Sequence, residues 1–268
     1  MQQHVLISGA SGLIGSALST HLARLGFVVH ALERDNPAAR FNYSSASRQV
    51  ALDHSISLSA VINLAGPSIA DGRWTARRKQ ELLESRVDLT TALATALAAA
   101  PQPPALFLSA SAVGFYGEST LPLNEEAPAG DDYLASLATR WEAATAPARQ
   151  VGIPTAHLRF GVVLSTKGGV LGKLMLPFSL CVGGKLGDGH QPMSWIALPD
   201  VLNLLTRLIE APAVLTAHTD SEGVSALNLV ADEPITNAVF TKALGRALHR
   251  PTPFPLPKPL IRLLFGEM

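Results

Sequence analysis

Residues 4–15 read HVLISGASGLIG, and the parsing of that stretch decides the fold. Residues 4–8 are a short apolar run that breaks at Gly9 into GASGLIG. Leu18, Leu22 and Leu25 then recur at helical spacing until Gly26, and FVVHAL (27–32) restarts an extended run. The order is strand, glycine turn, helix, strand. Gly9, Gly12 and Gly15 stand three apart in the turn. In such a unit the first glycine permits the tight turn, the second lets the backbone approach a pyrophosphate, and the third lets the helix press on the sheet. The phosphates would meet the free N–H groups of the first helical turn, so Ser11, Leu13 and Ile14 join the three glycines as expected cofactor contacts.

Working outward, AVINLAG (60–66) and ALFLSAS (105–111) are two more buried-looking strands, and TAHLRFGVVL (155–164) is a third after Pro154. Between them, residues 78–99 place Leu82, Leu89, Leu93 and Leu97 on one helical stripe, and residues 133–146 carry Leu134, Leu137, Ala138 and Trp141 before Pro147. Apolar runs alternating with helical patterns predict an α/β doubly wound parallel sheet of the Rossmann type, with helices on both faces. Residues 1–164 are expected to form the dinucleotide-binding domain, its sheet completed by later segments. Residues 165–268 are expected to form the substrate-binding region and a small C-terminal lobe. Residues 165–195 hold seven glycines and few periodic segments, which suggests a ligand-wrapping region, and a helix is expected from about Thr236.

Composition removes several function classes. Lys plus Arg is 21 and Asp plus Glu is 21, so no excess positive charge is available for a nucleic-acid backbone. The single cysteine, Cys181, rules out an internal disulfide and suits a reducing cytoplasmic compartment. No stretch gives the roughly 18 uninterrupted apolar residues of a membrane span, and the first ten residues do not read as a secretory signal. The histidines at 4, 21, 30, 54, 157, 190, 218 and 249 lack metal-ligand spacing, so no metal is expected. A GxSxG elbow is absent, which removes the serine-hydrolase reading. The expected partner is a small molecule. Monomer and homodimer both stand.

The cofactor is NAD or NADP. The second strand ends in Glu33-Arg34, beside the expected adenosine ribose. A carboxylate there bonds ribose hydroxyls and repels a 2′-phosphate, whereas a guanidinium binds that phosphate in two-point fashion. The two residues point to opposite cofactors, with the balance toward NADP because Arg34 has few other reasons to follow this strand. Asp53 is a candidate adenine contact. Leu64, Ala65 and Gly66 would pass under the cofactor with little side-chain bulk, and Ser109 lies at a strand end, either beside the cofactor or packed inside.

GASGLIG together with NLAG (63–66), LSASAVGFYG (108–117), DDYLASLATRWE (131–142) and LRFGVVLS (158–165) resembles the extended branch of the short-chain dehydrogenase/reductase superfamily. More narrowly, RWTARRKQELLESR (73–86), GGVLGKLMLPF (168–178), GGKLGDGHQPMSWI (183–196) and the ending ALGRALHRP to LLFGEM resemble an epimerase-family group of NAD(P)-dependent sugar-nucleotide epimerases. Chains of that group continue past the GEM, so the C-terminal extension is expected to be absent here. The resemblance implies hydride transfer between a nicotinamide and a carbinol or carbonyl carbon. It also implies that Ser111 and Tyr133 are the pair that bonds the substrate oxygen. A phenol with a reference pKa near 10 needs a nearby cation to act as a base. The superfamily supplies a lysine four residues on, where this chain has Leu137, and the nearest cation along that helix is Arg140. The helical asparagine of the superfamily is replaced by Arg86, and a histidine that follows the tryptophan in relatives is replaced by Ala197. Tyr133 therefore stands either as the acid/base or as a substrate hydrogen-bond donor or structural residue, and a non-catalytic dinucleotide-binding or redox-sensing protein is the alternative from another class. Arg73, Trp74 and Arg86 could line an anionic pocket, and Arg159, Lys173 and Trp195 are further candidates for holding a nucleotide-linked substrate, the first two through charge and the last by stacking.

Overall fold

The computed structural model describes residues 2–69, 71–119, 121–216 and 224–252. The GEM ending lies outside the described residues. In chain order the elements are β1 (His4–Ser8), α1 (Leu13–Arg24), β2 (Val28–Arg34), β3 (Asn42–Ser44), β4 (Gln49–Ala51), β5 (Leu58–Asn63), α2 (Ala76–Ala98), β6 (Phe107–Ala112), α3 (Tyr133–Ala143), α4 (Ala146–Gln150), β7 (Thr155–Phe160), β8 (Val162–Leu164), α5 (Gly169–Ser179), β9 (Pro192–Met193), β10 (Trp195–Ala197), α6 (Leu198–Glu210), α7 (Ala213–Thr216), β11 (Val224–Leu229), β12 (Ile235–Thr236) and α8 (Asn237–Ala247). A 3-10 turn at Val113–Tyr116 follows β6.

The chain divides into two compact units. The first takes residues 1–67, 81–159 and 199–228, and the second takes 68–80, 160–198 and 229–268. This differs from a single cut near residue 164. The chain returns through α6 and α7 to add β11 beside β7, in an eight-stranded sheet ordered β11-β7-β6-β5-β1-β2-β3-β4. Strands β1, β2 and β5 run parallel, as do β5 with β6 and β2 with β3. After β1 the chain builds toward β2, and it later returns to place β5 on the other side of β1. The boundary between β1 and β5 is thus the topological switch point, where ligands bind outside the carboxyl ends of the strands.

The core of the first unit follows from the sequence stripes. Val5, Leu6 and Ile7 of β1, Val61 and Ile62 of β5 and Phe107 and Leu108 of β6 are fully buried, as are Leu18 and Leu22 of α1 and Leu93 and Leu97 of α2. Strands buried on both faces have no reason to alternate polar and apolar residues, and these do not.

The second unit contains more order than its glycines suggest. Leu171, Leu174, Met175 and Phe178 recur on one face of α5 and pack with Phe240 and Leu244 of α8. Pro177 lies inside α5, and the Pro177 carbonyl accepts from Val182 N and Gly183 N, which closes the helix end. The expected strand 155–164 is two strands: β7 stays in the large sheet, whereas β8 pairs in parallel with β10. The helix expected near Thr236 begins one residue later, with the Thr236 hydroxyl capping Val239 N.

Candidate dinucleotide and substrate site

The three glycines of the turn are constrained differently. Gly9 has φ +73°, and a Cβ there would lie 2.8 Å from the Leu64 carbonyl oxygen. A Cβ at Gly15 would lie 2.2 Å from the Gly9 oxygen. The fold itself therefore requires glycine at both positions. At Gly12, a Cβ would meet only the Gly9 oxygen, at 3.2 Å, and φ is −73°, which any residue adopts. The protein's own packing constrains position 12 less than positions 9 and 15, a Cβ there requiring only that the Gly9 carbonyl give way slightly. An anion brought against the backbone demands glycine there, because a side chain would occupy its place. Gly12 is the N-cap of α1, where no side chain caps the helix and no acidic residue occupies the first turn. The first amides of α1 are thus offered to a ligand without a competing carboxylate. These residues fit the pyrophosphate of a dinucleotide.

A buried polar chain holds the strand ends beside this turn. Ser8 Oγ donates to Asn63 Oδ1, Asn63 Nδ2 donates to Thr90 Oγ1 at 2.8 Å, and Trp141 Nε1 donates to the same Thr90 oxygen at 3.0 Å. This links β1, β5, α2 and α3 below the switch point. Ser109 belongs to it: its oxygen accepts from Asn63 Nδ2 at 3.4 Å and it is 1% exposed. Ser109 is therefore a core residue and not a cofactor contact.

On the adenosine side, Glu33 is occupied, accepting from Asn36 Nδ2 at 2.7 Å. Asp35, at φ +53°, accepts from Ser45 N and Oγ, and these hydrogen bonds hold its carboxyl below the ordinary carboxylate value. The Arg34 guanidinium is exposed and makes no side-chain hydrogen bond or ion pair among the described residues. The expected adenine contact from Asp53 is not supported. Strand β4 runs antiparallel to β3 and carries the chain back to the edge where the parallel strands begin, so Asp53 sits near Leu58 and Pro104 at the opposite end of the sheet from Gly9. There it accepts from Ser55 and faces Arg40.

At the end of β5, Leu64, Ala65 and Gly66 continue toward Pro67, and the exposed backbone of Gly66 lies over the side chain of Arg86. Arg86 is 7% exposed and not a solvated surface charge. Its Nη2 donates to Pro67 O at 2.8 Å and its Nη1 to Leu82 O at 3.2 Å.

Past β6, the structure assembles a cluster that the sequence reading missed. Ser111 Oγ donates to Glu142 Oε1 at 2.7 Å, and Arg159 donates to both oxygens of Glu142 at 2.9 Å. His157 Nδ1 lies 3.5 Å from Glu142 Oε2, and its Nε2 lies 2.9 Å from Thr145 Oγ1. Burial raises the Glu142 pKa, but hydrogen bonds from Arg159, His157 and Ser111 outweigh it and lower the value to about 2. Arg159 Nη1 also donates to Tyr116 OH, which donates to Asn228 Oδ1. Arg159 was expected to hold a nucleotide-linked substrate through its charge. It is a strand residue, 5% exposed, whose charge is matched inside the protein. The missed signal was periodic: His157 and Arg159 are two apart on one face of a strand, and Glu142 adjoins Trp141 on the buried face of α3.

Tyr133 is half-buried at the first position of α3, capped by Asp132, whose side chain accepts from Ala135 N. Leu137 follows on the same face at 5% exposure, and Arg140 is exposed.

The remaining candidates fall in the second unit. Arg73 is exposed, and Trp74 is half-buried with its Nε1 donating to Ile69 O at 2.9 Å. Lys173 is exposed and paired with Asp71. Trp195 is half-buried on β10, and its indole nitrogen has no acceptor among the described residues. The set Arg73, Trp74 and Arg86 is thus split, with Arg86 in the first unit.

The model of the NAD dependent epimerase/dehydratase family matches residues 5–219. The chain belongs to that family. This epimerase-family chain is 40% identical over 266 residues to the epimerase family protein Mb2239 of Mycobacterium bovis, covering 98% of itself and 85% of the relative. It is 37% identical to the human epimerase family protein SDR39U1, covering 98% of itself and 86% of that protein. Among solved structures, human SDR39U1 isoform 2 with NADPH superposes with a TM-score of 0.84 at 34% identity, covering 99% of this chain and 86% of the other. A nucleoside-diphosphate sugar epimerase from Corynebacterium glutamicum superposes with a TM-score of 0.74 at 35% identity, covering 98% of this chain and 55% of the other. Among the described residues of this epimerase-family chain, no helix is long and apolar enough to cross a membrane, and no group of metal-ligating side chains forms.

Proposed function

We propose that this chain is an NADP(H)-dependent oxidoreductase or sugar-nucleotide epimerase acting on a carbinol or carbonyl carbon of a small substrate. The observation that carries the reading is Gly12. It is the glycine of the turn that the protein's own packing constrains least, and it stands where a dinucleotide's phosphates would approach. The choice of NADP(H) over NAD(H) is supported by Glu33 and Asp35 having local partners while Arg34 remains open to a 2′-phosphate, and by the NADPH in the solved human relative.

When bound, the nicotinamide supplies or takes up the hydride. The chain's residues do the rest. Ser111, buried at 3% exposure, donates a hydrogen bond to Glu142, so its lone pairs are what remains to accept from a substrate group that reaches the end of β6. That favours a hydroxyl group at this point of the site. Glu142 is held ionised by Arg159, which fixes the Ser111 hydroxyl in that direction. Tyr133 Oη holds or releases the proton at the substrate oxygen. The proton goes to the substrate oxygen when a carbonyl is reduced and returns to Tyr133 when a carbinol is oxidised.

A dinucleotide-binding protein without turnover is the second reading, favoured by Leu137, a buried apolar residue at the position the superfamily gives to a lysine. The test is reduced-nicotinamide absorbance and product analysis with UDP-glucose, UDP-glucuronic acid and simple aldehydes and ketones, in wild type and Tyr133→Phe. Turnover that falls on the order of 100-fold or more in the variant supports the enzyme. Unchanged turnover removes Tyr133 from the chemistry, and none across the panel in wild type that still binds NADPH favours the second reading.

A further inference from the structure

We infer that Arg86 is a built-in cation beneath the nicotinamide half of the dinucleotide site, tuning it to hold the reduced cofactor more tightly than the oxidised one. The inference rests on the dinucleotide reading above and concerns a residue whose position the superfamily pattern gives to a neutral asparagine.

The geometry is specific. Arg86 rises from α2 and lies flat under the strand end that follows β5. A Cβ on Gly66, at φ +159°, would fall 3.0 Å from Arg86 Cζ, 3.2 Å from Nη2 and 3.3 Å from Nε. The guanidinium thus fills the space a side chain at position 66 would need, and one exposed layer of backbone separates it from whatever lies above. Two carbonyls, Pro67 O and Leu82 O, are among the partners that hold it in that pose. On its other side the ring of Trp141 lies with its centroid 5.1 Å from Cζ, and Trp141 is itself anchored through Thr90 to Asn63. At 7% exposure the side chain is shielded from solvent, and a guanidinium does not lose its proton in a protein.

The glycine turn after β1 places the pyrophosphate at the switch point. One half of the dinucleotide then extends over β2 and the other over β5 and β6. With Arg34 on the β2 side for the adenosine, the nicotinamide half crosses Gly66. The oxidised nicotinamide ring carries a positive charge and the reduced ring is neutral. A fixed positive charge under one backbone layer repels the first and leaves the second untouched. Partial burial weakens solvent screening, so the effect is expected to be about tenfold in relative affinity.

The experiment measures dissociation constants for NADPH, NADP+ and 2′,5′-ADP, which carries the adenosine half alone, on wild type, Arg86→Gln and Arg86→Lys, with circular dichroism confirming the fold of each. Wild type is expected to bind NADPH about tenfold more tightly than NADP+. Arg86→Gln is expected to bring the two affinities within about twofold, Arg86→Lys to keep most of the wild-type ratio, and 2′,5′-ADP to bind all three alike. A residue that only braced the loop would weaken NADPH and NADP+ together and leave their ratio in place. Equal affinity of wild type for NADPH and NADP+ overturns the inference whether or not the variants fold, as does a ratio unchanged in folded Arg86→Gln. Failure of wild type to bind any of the three ligands instead overturns the dinucleotide reading.

Discussion

Arg159 and Glu142 meet through two parallel hydrogen bonds, Nε to Oε1 and Nη2 to Oε2, each 2.9 Å long, with neither side chain more than about a tenth exposed. Such a pair stabilises the fold chiefly by leaving neither charge alone. Arg159→Met leaves a buried carboxylate with His157 and Ser111 as its remaining side-chain donors, and is expected to cost about 3–5 kcal/mol in urea unfolding. The double variant Arg159→Met with Glu142→Leu should recover part of that loss, because both charges leave together. A single-variant cost under about 1 kcal/mol would show that the pair is not desolvated as the structure has it.

The same pair sets an acid limit. The folded-state pKa of Glu142 is lowered to about 2 from 4.5, so the unfolded chain takes up the proton first. The stability it contributes is present above about pH 4.5 and is lost as pH falls toward 2. Unfolding free energy measured across that window is expected to fall more steeply for wild type than for the double variant. Parallel curves would contradict the assignment.

A second, milder window lies near neutrality at the far end of the sheet. His30 Nε2 is 3.0 Å from His4 Nδ1, and the His30 pKa is lowered by burial first, then by the positive charge of His4 and Arg40. A histidine whose folded pKa is depressed gives stability that is present above the unfolded value of 6.5 and is lost as pH falls below it. Melting temperature between pH 7.5 and 5.5 is expected to fall for wild type and to fall less for His30→Asn. An identical slope in the two proteins would rule out His30 as the source.

Arg34 gives the prediction on cofactor choice. Its guanidinium has no side-chain partner among the described residues, whereas Glu33 and Asp35 are held by Asn36 and Ser45. Arg34→Ala is expected to weaken NADPH by about tenfold or more while changing NADH by less than about twofold, the loss being that of one charge-assisted phosphate contact. Equal losses for the two cofactors, read by fluorescence titration, would remove the 2′-phosphate from Arg34.

What could be read from the sequence, and what could not, follows from range. The β1, turn, α1, β2 unit was legible because its signals are local: an apolar run, glycines at fixed offsets and leucines at helical spacing. Asp53 was misplaced because sequence does not reveal that Asn42–Ser44 and Gln49–Ala51 form a hairpin, which reverses the direction of the chain and delivers the carboxylate to the wrong sheet edge. Helix α5 was hidden by its flanking glycines and Pro177, although Leu171, Leu174, Met175 and Phe178 carried its buried face. Arg159 reads as a substrate-holding charge in the sequence because its neutralising partner lies 17 residues away on another element. A long-range pairing of this kind becomes visible only once α3 and β7 are packed together.

The most direct measurement is calorimetric titration of NADPH into wild type and Gly12→Ala, with melting temperatures recorded for both. A methyl group at position 12 has only the Gly9 oxygen near it, at 3.2 Å, which must give way slightly, and it needs no unusual backbone angle. The variant should therefore melt within a few degrees of wild type, while its affinity for NADPH falls on the order of 10- to 100-fold, because the methyl stands where the phosphates approach. Saturable binding of equal strength in the two proteins, or no heat with wild type at millimolar NADPH, would contradict the account.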